Sequence, residues 1–330
     1  MKLNKLISLF VFFALFSAAL HAKPYPPTDD SSYDGLAPGG RSLAMGQAFT
    51  ALGGDPSTIF FNPAGLTSVE KQYFSMTFEV TRQSALTSEE IFSSEMLRNK
   101  NLIFLGLISN NGAFSWRPLS DAVIRTASGA DWKETEIKIN QYTLSAGHRG
   151  NETVDSGMNI SYINGRVAES GTENGAPFAN IADGNGLSVD FGLLYHLTSQ
   201  FNLGLNFKNL AGFIWWDDYE QEQLPFTLRG GFAFNIGSFL VFSSDWEKKF
   251  NRGALGPRET VHFGIEQAFG KIIQLRGGVY GEDLRDADKT VYTAGIGYFA
   301  NKYSLSFSGE KYKINGFDVF RYLFSLDLPI

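Results

Sequence analysis

Read back from its C-terminus, the chain alternates apolar and polar residues with a period of two, segment after segment. Phe320, Tyr322, Phe324, Leu326 and Leu328 share one face, and Arg321, Ser325 and Asp327 share the other. Only an extended strand puts every second side chain on one side. The same rule holds for Tyr303, Leu305 and Phe307 against Ser304, Ser306 and Ser308; for Tyr292, Ala294, Ile296 and Tyr298; for Ile273, Leu275 and Val279 against Gln274 and Arg276; and for Val261, Phe263 and Ile265 against His262 and Glu266. A soluble sandwich alternates too, but its outward faces are polar. Here one face suits hydrocarbon and the other water, the alternation of a membrane barrel.

Upstream, further strands are expected near 71–82, 101–109, 112–119, 134–147, 154–166, 186–197, 200–211, 224–236 and 238–247. With the five above, they make an all-β fold: a transmembrane antiparallel β-barrel of about 14 strands. Three of these readings rest on weaker patterns. Segment 101–109 is apolar on both faces, 112–119 is short, and 134–147 changes phase between Ile139 and Tyr142, which reads as a bulge. Long connections (83–100, 117–133, 167–185, 212–223, 248–259, 282–289 and 313–318) take turns with tight ones at Asn110-Asn111-Gly112, Arg149-Gly150-Asn151, Thr198-Ser199-Gln200, Gly237, Gly270 and Asn301. Such alternation is the loop grammar of a membrane barrel, whose long loops face outside. An even count beginning with a long loop places both mature termini in the periplasm. Phe324 is then the in-strand aromatic that the barrel-assembly machinery would read, with Pro329 beyond the last paired position.

Residues 1–22 read as a signal peptide: Lys2 and Lys5, then an apolar run from Leu6 to Ala19 ending in small residues. With no cysteine in the chain, a lipid anchor and a disulfide framework are both excluded. The expected location is the cell outer membrane, with its lipid bilayer as the first partner. A net charge of −6 and the lack of a basic patch exclude nucleic acid.

Between export signal and barrel (71–330), residues 23–70 follow different rules. Ser42 is placed to cap a short helix that Gly53-Gly54 ends, and Asp55-Pro56 is placed to start a second turn that stops at Asn62-Pro63-Ala64-Gly65. This segment is expected to fold into the lumen as a short helical hatch, Ala44, Gly46 and Ala48 allowing close contact with the wall. The stretch Arg41 to Ala51 followed by Asn62-Pro63-Ala64-Gly65 resembles the opening of the FadL-type superfamily of outer-membrane barrels. Leu224-Pro225-Phe226-Thr227-Leu228-Arg229-Gly230-Gly231, Val261 to Glu266 and Leu275 to Tyr280 resemble its PorV/PorQ-like branch. The resemblance implies a 14-stranded barrel with a lumenal hatch. It also implies one of two functions: passive uptake of hydrophobic small molecules such as long-chain fatty acids, or, as in the PorV-like branch, binding of secreted proteins or a type IX-like secretion complex.

Catalysis finds no support. There is no Gly-x-Ser-x-Gly, and His148, His196 and His262 lack metal-ligand spacing. Asp183-Gly184-Asn185-Gly186 lacks the ligand succession of a calcium loop, so neither metal nor cofactor is expected. Asp190, Lys208, Arg229, Asp245, Glu266, Arg276, Arg321 and Asp327 should point inward. Their mixed signs read as a paired network filling the lumen, with a carboxylate head group on Arg229 or Arg276 as the rival reading. Phe213-Ile214-Trp215-Trp216 stands at the barrel mouth, as an interfacial girdle or as a capture surface for an apolar ligand. The candidate ligand-binding or gating residues are thus Phe49, Phe60, Phe61, Asn62, Pro63, Trp215, Trp216, Arg229 and Arg276.

Overall fold

A computed structural model describes residues 38–82, 101–251, 256–314 and 316–330. The signal peptide, residues 23–37 of the expected hatch and loop 83–100 lie outside the described residues. The strands are β1 (Tyr73–Arg82), β2 (Asn101–Ile108), β3 (Gly112–Ser128), β4 (Asp131–Arg149), β5 (Val154–Glu173), β6 (Ala176–His196), β7 (Phe201–Trp216), the two-residue β8 (Glu222–Gln223), β9 (Phe226–Ile236), β10 (Leu240–Phe250), β11 (Arg258–Phe269), β12 (Ile273–Gly281), β13 (Thr290–Phe299), β14 (Ser304–Ile314) and β15 (Phe317–Pro329). Each long strand pairs antiparallel with the next, β8 rides on the end of β7, and β15 closes onto β1 with Phe78 opposite Phe324. The result is a closed 14-stranded barrel. Closure leaves no free edge and satisfies the backbone inside a hydrocarbon layer. Outward residues such as Leu144, Ile160, Phe263, Leu275 and Ile296 are exposed.

Strand lengths depart from expectation. The segments 117–133 and 167–185 are not loops: β3 and β4 run to a turn at Gly129, and β5 and β6 to a turn at Asn174-Gly175. β6 spans 21 residues, roughly 70 Å at strand rise, whereas about 9–11 tilted residues cross a bilayer. Four strands therefore stand far above the rest at the end that carries the long connections, here called the loop end. Polar residues such as Asp121 and Glu169 gave these extensions the look of loops. Cross-strand pairing of neighbours, including Lys133–Glu169 at 2.6 Å and Arg166–Asp183 at 2.7 Å, makes them sheet. Phe213 to Trp216 likewise belong to β7.

Two further corrections concern phase. β4 runs in unbroken register with β5; the bulge lies instead in β3, between Pro118 and Ser120. Ile137 and Ile139 are fully buried on the inner face while Leu144 is exposed outside, so the inner wall itself turns apolar towards the loop end. β2 is apolar on both faces because its inner residues Phe104 and Ile108 pack on Ile59, Leu66 and Val69 of the hatch. Pro329 is not beyond the last pair: it lies opposite Tyr73. The β14 register ends at Ser304 opposite Asp327, so at Pro329 no donor is required.

Candidate functional site

The described part of the hatch sits inside the cylinder. Helix α1 (Gly40–Ala44), helix α2 (Thr58–Phe61) and a 3-10 helix (Pro63–Ser68) are almost entirely buried. α1 is one turn long and starts after Gly39, not at Ser42, whose hydroxyl donates to the Gly39 carbonyl at 3.0 Å. It ends where Gly46 and Gln47 take positive φ, well before Gly53-Gly54; wall contacts, not helix propensity, dictate this path. Asp55 accepts from the Ser57 amide at 2.8 Å. Asn62 accepts from the Ala64 amide at 3.1 Å and caps the 3-10 helix, with Pro63 at its first turn.

Inward-facing glycines of the wall make room for this backbone. A Cβ at Gly157 would collide with Pro63 and Ala64, at Gly192 with Asn62, at Gly204 with Thr50, and at Gly278 with Met45 and Gly46; at Gly295 it would stand 2.6 Å from the Ala44 Cβ. Hatch and wall therefore meet backbone to backbone. The expected small residues of the hatch were half of this arrangement, and the wall glycines are the other half. Their signal was glycine recurring at lumen-facing parity in successive strands.

Polar anchors complete the seat. Asp245 of β10 accepts through Oδ2 from the amides of Phe49 (2.8 Å) and Thr50 (3.0 Å), the Thr50 hydroxyl (2.7 Å) and Arg229 Nε (3.0 Å). The Asn62 amide donates to the Thr50 and Leu193 carbonyls, each at 2.8 Å, and Asn159 donates to the Ile59 carbonyl at 2.8 Å. At the turn end, Asp155 is fully buried and receives Thr67, with His196 at 3.1 Å and Arg149 at 3.4 Å. Replacing Asn62 by Ala should orphan two carbonyls and one amide and lower the stability of the hatch by about 2–3 kcal/mol, measurable as faster hydrogen exchange across residues 48–66 with the strand amides unchanged.

The inward arginines are already engaged. Arg229 meets Asp245, Glu247 at 2.9 Å and the Gln47 carbonyl. Arg276 meets Glu266 at 2.7 Å, and Arg41 of the hatch holds the same carboxylate with two contacts of 2.8 Å. Burial disfavours the charge on Arg41, yet attraction to Glu266 outweighs it and holds the guanidinium above its ordinary pKa. Arg321 bridges Glu79 (2.7 Å) and Glu310 (3.0 Å). The paired network is thus the observed state of these arginines. Two cations differ. Arg117 and Lys208 lie 4.2 and 3.6 Å from the centroid of the Phe60 ring, and Arg117 Nη1 is buried without a hydrogen-bond partner. They line a cavity of about 20 Å³ between hatch and wall, with Ile59, Phe104, Gln141 and Asn159. A larger space of about 360 Å³ opens at the turn end between Arg41, Asp55, Lys71, Tyr303 and Asp327.

Of the residues singled out in the sequence, Phe49, Phe60, Phe61, Asn62, Pro63 and Arg229 come together in the hatch region. Phe49 and Phe61 pack at 5.6 Å, Phe60 and Phe61 at 5.1 Å, and Arg229 lies 5.0 Å from the Phe61 ring. Arg276 joins through Glu266 and Arg41, the latter over Phe49 at 5.3 Å. The two tryptophans separate: Trp215 is 48 % exposed on the outer face, and Trp216 is buried on the inner one. Trp216 belongs to an apolar cluster with Leu119, Ile137, Ile139, Ile163 and Ile214, distinct from the hatch cluster of Met45, Phe49, Phe61 and Leu194.

No protein-family model and no curated sequence matches the chain. Solved structures do. The toluene transporter TbuX of Ralstonia pickettii is 12% identical over 90% of this chain and 99% of its own, with a TM-score of 0.62. The CymD monoaromatic hydrocarbon channel is 12% identical over 90% and 99%, with a TM-score of 0.64. A FadL homologue from Pseudomonas aeruginosa is 12% identical over 93% and 99%, with a TM-score of 0.57. TM-scores of 0.57 to 0.64 with near-complete coverage of both partners show that the chain has the FadL-type barrel fold.

Proposed function

We propose that the protein is an outer-membrane channel that admits hydrophobic small molecules by diffusion and catalyses no reaction. The observation that carries this reading is the lumen itself. A barrel built as a general water pore would keep its interior open and polar, whereas this one holds a backbone-seated hatch and, towards the loop end, an apolar inner wall. Solved relatives of the fold named as a toluene transporter and a monoaromatic hydrocarbon channel support it. An apolar solute entering at the loop end gains about 25 cal/mol for each Å² it removes from water, so no energy source is needed.

The cavity beside Phe60 lies behind a weak place in the wall. β2 and β3 share only the four pairs from Leu105–Trp116 to Ile108–Ala113, and β2 is itself shifted against β1 between Thr77 and Phe78. A hydrophobic solute leaving the lumen there would pass into hydrocarbon and not into periplasmic water. Cysteines at positions 104 and 117, which would face each other if the ladder continued, can be stapled with a short cross-linker in this cysteine-free chain. Stapling should cut uptake at least fivefold. Proteoliposomes loaded with a hydrophobic fluorophore trap give the direct test of the reading: entry of toluene or a long-chain fatty acid no faster than into empty vesicles would sink it.

The tall wall of β3 to β6 favours a second reading, in which these strands present a surface to secreted proteins or to a secretion complex. Its outer face carries Val123, Trp132 and Ile181, all exposed. A photo-cross-linker at position 181 that recovered exported proteins would support it.

A further inference from the structure

The tall wall of β3 to β6 ends in a bare sheet edge. β7 pairs with β6 only as far as Trp216 opposite Gly184, and beyond that point β6 is laddered to β5 alone among the described residues. Ala176 lies opposite Glu173 across the turn Asn174-Gly175, whose two residues both take positive φ. In such a two-residue hairpin the flanking pair is hydrogen-bonded, so the even residues from 176 to 182 turn their N–H and C=O groups toward β5 and the odd ones turn theirs away. Asp183 has the same parity: its carbonyl accepts from the Asp217 amide at 2.9 Å as the chain leaves β7. The amides of Ala179, Ile181 and Asp183 and the carbonyls of Pro177, Ala179 and Ile181 therefore point off the sheet at the loop end.

The side chains are not those of an edge that is kept free. From Ala176 to Ala182 no residue is charged, and Ala176, Pro177, Ala179 and Ile181 are exposed. The opposite edge of the same wall differs. β3 pairs with β2 only up to Trp116, and above it stand Asp121 and Arg125, charged residues of the kind by which sheets discourage pairing. At the foot of the β6 edge, where Asp217 is exposed and tied to Asp183, the short segment after β7 carries Asp217, Asp218, Glu220 and Glu222.

We propose that this edge takes up an extended segment of another protein at the cell surface, added antiparallel as a strand above β7, with basic residues at its N-terminal end and uncharged β-formers after them. Backbone bonds supply the affinity, and alternate side chains select the partner. An antiparallel arrival continues β7 in its own direction, so its first residues meet the acidic segment. A second copy is a poorer occupant. Two copies in one membrane point the same way, so the second β6 would arrive parallel and bring its own acidic segment, while its β3 edge carries charge. The surface is the backbone edge, not the outer face considered above, and binding there needs no passage of solute.

The probe is the peptide Lys-Lys-Thr-Val-Thr-Val-Thr, added to the purified full chain in detergent at low salt. Fluorescence anisotropy should show it binding at least tenfold more tightly than Glu-Glu-Thr-Val-Thr-Val-Thr. Ala179→Pro removes an edge amide that bonds to no described residue, and Pro177 already stands on the same edge. That variant should keep the barrel's migration in gels and bind the lysine peptide at least tenfold more weakly. Should it fail to fold, hydrogen exchange on the wild type decides: the amides of Ala179 and Ile181 should exchange at least tenfold more slowly with the peptide bound. No binding of the lysine peptide at millimolar concentration, equal binding of the glutamate peptide, equal binding by the folded variant, or unslowed exchange at Ala179 and Ile181 overturns the proposal. Self-association that Ala179→Pro abolishes would assign the edge to a second copy and overturn it as well.

Discussion

Placing valine at Gly204 and Gly278 together should dislodge the hatch and convert a sealed barrel into a leaky one. At each position a Cβ would collide with hatch backbone, the Thr50 carbonyl in the first case and Met45-Gly46 in the second. Backbone cannot swing aside as a flexible side chain can, and Gly46 is already held at φ 60. Valine suits a strand better than glycine does, so the wall gains where the hatch loses. The expected outcome is a barrel that keeps its heat-modifiable migration in gels while its single-channel conductance in planar bilayers rises tenfold or more. Wild-type conductance in the folded double variant would mean that residues 40–68 do not form the seal.

Asp245→Ala should give the largest loss of stability from a single change. One carboxylate oxygen gathers two hatch amides, a hatch hydroxyl and Arg229. Removing it leaves three buried donors without a partner and takes one of two carboxylates from a buried guanidinium. Breaking a buried pair costs about 3–5 kcal/mol, and Arg229 still keeps Glu247, so a loss of about 3 kcal/mol is expected. Asp245→Asn preserves an acceptor and should lose roughly half as much. Urea-induced unfolding in lipid vesicles measures both, and equal midpoints for Asp245→Ala and wild type would refute the anchor.

These two experiments probe different failures. The glycine variant displaces the hatch by volume while leaving its polar anchors, and the aspartate variant keeps the space while removing the anchor. Leakage in the first with simple destabilisation in the second would establish that shape makes the seal and that Asp245 provides much of its strength. Under the proposed reading as a channel for small apolar solutes, this division is useful. A hatch held by hydrogen bonds can shift locally, whereas the wall is held by long ladders everywhere but at the four-pair seam of β2 and β3.

The strand faces were legible in the sequence because their physics is local. A residue such as Leu305 or Ile296 must face hydrocarbon, its neighbours must not, and the period of two follows from chain geometry alone. The inward set Arg229, Asp245, Glu266, Arg276 and Arg321 followed from the same parity. Loop-like polarity misled the reading at 117–133 and 167–185, where strands leave the membrane and hydrocarbon no longer imposes a pattern. Ile137 and Ile139 misled it in the opposite sense: their apolar side chains face inward, onto Trp216 and Ile163, and alternation cannot tell lipid from an apolar lumen.

What the sequence by itself determined is the barrel, its strand number, its closure and the sign of each face, since a chain that alternates in this way has few other means of hiding its backbone in hydrocarbon. Only the tertiary structure decided which glycines seat the hatch, which carboxylate each arginine takes, and that Trp215 and Trp216 part to opposite sides of one wall. Those contacts join residues far apart along the chain, Asp245 to Thr50 and Trp216 to Gly165 among them. They depend on strand register and curvature, which bring distant positions to one point in the lumen and which no local pattern records.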